Sequence, residues 1–62
     1  MAHATREQFE TAIANFRRQA AFHILEAKLH QPGDWRIAAD QRLAVKFEAS
    51  AVALEQQMND LQ

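Results

Sequence analysis

The chain has no cysteine and no tyrosine, one glycine, one proline, and Ser50 as its only serine. Without cysteine there is no disulfide framework, no thiolate nucleophile and no Cys-based zinc site. A lone Gly and a lone Pro exclude collagen-like and linker-like chains, and leave no Gly-rich loop to cradle a phosphate. Charge of one sign is also lacking. Lys and Arg total 7 and Asp and Glu total 8, a formal charge of -1, so bulk charge points neither to nucleic acid nor to an acidic membrane surface. No apolar run approaches the roughly 18 residues that a membrane helix needs. The N-terminus lacks a signal-peptide pattern, so a cytoplasmic location is expected. With Thr5 expected as a helix cap and no pocket expected in a two-helix layer, neither an enzyme nor a cofactor is expected.

What is present is helix-forming sequence. The 62 residues fit one small domain, 1–62, and 48% of them are hydrophobic, too many for typical disorder. Ala, Glu, Gln, Arg and Leu dominate, while β-branched residues are sparse and scattered. Pro32 and Gly33 stand side by side as the only punctuation. Both penalise a helix interior, so they divide the chain into two helices rather than one. Helix 1 is expected over about 5–31. Thr5 and Gln8 form the capping-box pattern at its start, with Glu7 and Glu10 in the first turns. Lys28 and His30 suit its negative end, and Pro32 disfavours α conformation at the residue before it. The turn is 32–34. Helix 2 is expected over about 35–61, with Asp34 as its N-cap. So short a link forces an antiparallel αα-hairpin.

Two stripes should close that hairpin. At 100° per residue, Phe9, Ile13, Phe16, Ala20, Ile24 and Ala27 share one face of helix 1. Ala44, Phe47, Ala51, Leu54, Met58 and Leu61 share one face of helix 2 at heptad spacing. Folding sets Phe16 against Ala51 and Leu54, Phe9 near Met58, and Ala20 near Phe47. Further apolar sets remain: Phe22, Leu25 and Leu29 on helix 1, and Val45, Ala49 and Val52 on helix 2. A lone hairpin has one inside, so these residues would face water unless something covers them. Ordering about 55 residues costs on the order of 80 kcal/mol, which one seam can hardly offset. A dimer forming a four-helix bundle can offset it.

Three smaller constellations carry possible chemistry. His23, Glu26 and His30 lie along one flank of helix 1, and Asp40 interrupts the helix 2 stripe within reach of His23 or Ala27. The set reads first as a polar cluster that sets register, with a metal site or a proton-sensitive latch as alternatives. Two His seven apart lack the i, i+4 spacing of helical metal pairs, and His23-x-x-Glu26 reverses the Glu-x-x-His order of bundle metal sites. Arg17 and Arg18 form a basic step that a dimer would display twice, a geometry suited to a nucleic-acid backbone. Bridges from that face to Glu48 or Glu55 are the plainer expectation. Trp35, beside the turn, is expected to cover the end of the hairpin, with a projecting hot-spot anchor as the alternative. Arg36 and Asp40 have i, i+4 pair spacing.

In length and hairpin form the chain resembles the Rop family of plasmid RNA-binding regulators, which are dimeric four-helix bundles. The resemblance is one of architecture. It implies a dimer, and no motif residue carries over. The leading functional expectation is a small non-enzymatic protein–protein interaction module, regulatory or of adaptor or inhibitor type. It would dock helix faces on a partner or a second copy through Phe22, Leu25, Leu29, Trp35, Val45, Ala49 and Val52. A dimeric nucleic-acid-binding regulator using Arg17 and Arg18 is the first alternative. A metal- or pH-responsive bundle is the second.

Overall fold

The computed structural model describes residues 4–61. They form α1, Arg6–Leu29, and α2, Trp35–Asn59, packed antiparallel along their length, with no strand among the described residues. The rod measures 47 × 18 × 13 Å. Thr5 caps α1 as expected. Its hydroxyl accepts from the Gln8 amide at 3.1 Å, and its own amide donates to the Gln8 side chain at 2.9 Å. Asp34 caps α2 by accepting from the Arg36 amide at 2.9 Å.

The helix ends differ from expectation by two residues each. α1 stops at Leu29 rather than Gln31, because His30 is already extended, with φ -80° and ψ 152°. The reversal occupies Gln31–Asp34, closed by the Asp34 amide donating to the Gln31 carbonyl at 3.1 Å. Pro32 and Gly33 take its two central positions, and Gly33 has φ +87°, the type II arrangement in which glycine supplies the positive φ. Redirecting the chain into that turn takes both His30 and Gln31 out of the helix. α2 stops at Asn59 rather than Leu61. The Asp60 and Leu61 amides close the end in tight turns on Gln56, Gln57 and Met58.

The seam is built on small residues. Ile13, Ala20, Ala27, Ala44 and Ala51 are buried, and Ala51 is fully so. On α1 these fall at sevens (13, 20, 27), as do Ala44 and Ala51 on α2, the repeat that keeps one face turned to its neighbour. A second row alternates with each. Phe9, Phe16, His23 and His30 are half-buried on the α1 side, and Asp40, Phe47, Leu54 and Leu61 on the other. Phe16 therefore meets Phe47, with ring centroids 6.0 Å apart, and His23 stacks on the far side of Phe47 at 5.6 Å. The expected stripe is corrected at one place. Ile24 is 49% exposed, and the seam position belongs to His23.

Candidate functional site

One polar cluster interrupts the apolar seam, at the end where the turn joins the helices. Asp40 reaches from α2 between two histidines. The His23 ring Nδ1 lies 2.9 Å from Asp40 Oδ1, and the His30 ring Nε2 lies 3.1 Å from Asp40 Oδ2. A carboxylate only accepts, so each ring donates from the nitrogen that faces it. All three side chains are at most 20% exposed. Half-buried polar groups in a narrow seam must find partners, and here each partner comes from the opposite arm of the helical hairpin. Orientation is further fixed by aromatics. His23 stacks nearly parallel on Phe47 and makes a T-shaped contact with Phe22 at 5.3 Å. Glu26, one turn before His30 on α1, completes the group. Ligand atoms of Glu26, His30 and Asp40 all lie within 4.8 Å of one another. The sequence brought these four residues to notice, and the structure brings them together. Glu26 and His30 are four apart in sequence, and His30 meets the group from the extended residue that ends α1.

Arg36 departs from its expected pairing with Asp40. Its guanidinium grips Asp34 through Nε and Nη2, the shortest contact being 2.7 Å. Asp40 is engaged by the histidines, and the cap carboxylate is the nearer partner. That grip, with the Arg36 amide bond added, holds the Asp34 carboxyl at about 2, below the usual carboxylate range. The same pair raises the Arg36 guanidinium above its ordinary value.

The basic step is engaged within the hairpin. Arg17 lies between two glutamates of α2, with Glu55 at 3.1 Å and Glu48 at 3.6 Å. Arg18 donates to the Asn15 side chain one turn back, at 3.2 Å.

The apolar residues outside the seam are all accessible. Phe22, Leu25, Leu29, Val45 and Val52 are between 40% and 71% exposed, and Ala49 is exposed as well. Trp35 is 77% exposed, which overturns its expected role as a cover for the hairpin end. It sits in the first turn of α2, directly after the cap, and lines an open depression with the turn residues Gln31–Asp34. The Arg17 bridges define one broad face of the rod. At 100° per residue, Val45 and Val52 flank Glu48 and Glu55 on that face, joined by the exposed Ile24. Phe22 and Leu29 flank Glu26 on the opposite broad face, joined by Leu43. Leu25 and Ala49 lie on the outer edges.

Three surface depressions among the described residues are shallow, and each of these is lined by one helix or by the turn. No described helix is long and apolar enough to cross a membrane. The chain matches no family model, and neither a curated protein nor a solved structure is significantly similar to it.

Proposed function

We propose that this hairpin is a non-enzymatic interaction module of regulatory or adaptor type that works by docking helix faces on another protein. The first occupant is a second copy, giving a four-helix bundle. One observation carries the reading, the surplus of accessible surface. The chain exposes 4926 Å². A compact monomer of 7.1 kDa would expose about 4,100 Å² by the usual mass scaling. The excess of about 800 Å² equals what one partner contributes to an interface of standard size. Its composition points the same way. Phe22, Ile24, Leu25, Leu29, Trp35, Leu43, Val45 and Val52 are all more than a third exposed, and no large side chain is fully buried. Apolar groups at helical spacing on both broad faces suit a layer within a bundle better than a solitary rod.

Sedimentation equilibrium tests the proposal. The expected mass is twice 7.1 kDa, falling toward the single-chain value when Phe22→Ala and Leu25→Ala are combined. A solitary chain that melts cooperatively, with a mass the double variant does not change, overturns self-association. Arg17 is engaged by Glu48 and Glu55, and Arg18 hydrogen-bonds Asn15, which gives the nucleic-acid alternative no support. Binding of RNA that weakens steeply with salt would restore it.

A further inference from the structure

We propose that Glu26, His30 and Asp40 form a site for a divalent transition-metal ion, zinc being the best fit, and that His23 positions Asp40 from behind. The inference is independent of docking, since every ligand comes from one chain.

The donor set is the first ground. One imidazole and two carboxylates, with ligand atoms gathered within 4.8 Å of one another, offer borderline nitrogen and hard oxygen. That combination suits zinc and its first-row neighbours. Calcium requires six to eight oxygens, and thiolate-seeking ions find no sulfur here. Spacing is the second ground. His30 Nε2 and Asp40 Oδ2 are 3.1 Å apart. Two ligands on one tetrahedral zinc, with bonds of about 2.0–2.1 Å, stand ~3.3 Å apart. An ion could therefore replace the hydrogen bond with little backbone movement. The Glu26 carboxylate, on a flexible stem one turn from His30, closes in as third ligand, and water fills the fourth place.

The surroundings are the third ground. Ligating carboxylates are themselves held by hydrogen bonds in working metal sites. Here His23 donates from Nδ1 to the Asp40 oxygen that does not face His30, at 2.9 Å. Stacking on Phe47 and the T-shaped contact with Phe22 fix the His23 ring. Asp40 is thus oriented before any ion arrives. The site lies where α1 gives way to the turn, so a bound ion would pin the turn end of α1 to α2.

Isothermal titration of the chelator-treated chain with zinc chloride tests this, with His3→Ala as background so that His23 and His30 are the only histidines present. The expected result is saturable binding of one ion per chain and a matching rise in the thermal midpoint. Glu26→Gln keeps the shape of the side chain and should weaken binding about tenfold or more while leaving the metal-free melt unchanged. His30→Ala should abolish the midpoint rise. His23→Gln, acting through Asp40, should weaken binding about tenfold. Cobalt(II) supplies a second readout, because its visible absorption reports low-coordinate nitrogen and oxygen ligation. No saturable binding, binding that neither Glu26→Gln nor His30→Ala reduces, or a cobalt spectrum identical to the aqueous ion overturns the proposal.

Discussion

Asp34 places two functions on one carboxylate: it caps α2 through the Arg36 amide and pairs with the Arg36 guanidinium. The group is held at about 2 in the folded chain, against 3.8 for the free side chain. A depressed carboxyl contributes its stability above the unfolded value and loses it as pH falls. Acid titration of the thermal midpoint should therefore show a loss between about pH 4 and pH 2, the interval between the unfolded and folded values. That component should be absent in Asp34→Asn, which keeps a capping oxygen without the charge. An acid profile identical in both would refute the assignment. Gly33 makes a second residue-scale prediction. At φ +87° a side chain is strained, although an added Cβ would meet nothing within 4 Å. Gly33→Ala should then cost about 1 kcal/mol through backbone strain alone, read as a lower denaturant midpoint with unchanged slope. Both residues were legible beforehand, because a turn and a cap depend on neighbours close in sequence. Trp35 was not. Whether a ring beside a turn folds inward depends on free space and partners that no local pattern encodes.

At the scale of the helix, closeness of approach is the organising quantity. Alanine at four of the five buried positions lets the two backbones come near, and Ala51, at 0% exposure, marks the tightest point. Ala51→Leu should force the helices apart and cost about 1–3 kcal/mol, seen as an early urea transition. An unchanged transition would mean that the seam has slack. The expected α2 stripe faces α1 from Ala44 to Met58, with Leu61 half-buried just past the helix end, because its apolar residues from Ala44 onward keep heptad spacing. The α1 stripe failed at Ile24 for a physical reason. The seam there continues through His23, and a search restricted to apolar residues steps to the neighbouring isoleucine. The row 9, 16, 23, 30 at intervals of seven was the available signal, and Asp40 opposite gave it sense. A polar pair can hold a seam position when each member satisfies the other.

For the whole molecule, a rod two helices thick cannot enclose large side chains on its own. The half-buried Phe16, Phe47, Leu54 and Met58 and the exposed Phe22, Leu25 and Leu29 follow from that geometry. Covering one broad face with a second hairpin would bury surface in the range of standard protein interfaces. Thermal stability should then rise with protein concentration, as linkage requires of a folded dimer. A midpoint constant over a hundredfold dilution would count against it. Phe22 touches both proposals, since its ring meets His23 in a T-shaped contact while the residue is 55% exposed. Phe22→Ala combined with Leu25→Ala should therefore lower the association state, whereas Glu26→Gln should alter zinc affinity and leave mass unchanged. The two ideas can fail separately.

Local chemistry was enough to determine two helices, their caps, the antiparallel reversal at Pro32–Gly33 and the α2 stripe. Capping, turn conformation and helical periodicity act over a few residues and are written in consecutive positions. Three matters needed the folded hairpin. The register of α1 against α2 decided that Asp40 bridges His23 and His30 while Arg36 turns to Asp34. The rotation of each helix decided that His23 rather than Ile24 enters the seam. The relative orientation of the helices divided the exposed apolar residues between two opposite faces. Each depends on distances between residues far apart in the chain, which packing sets and sequence spacing does not.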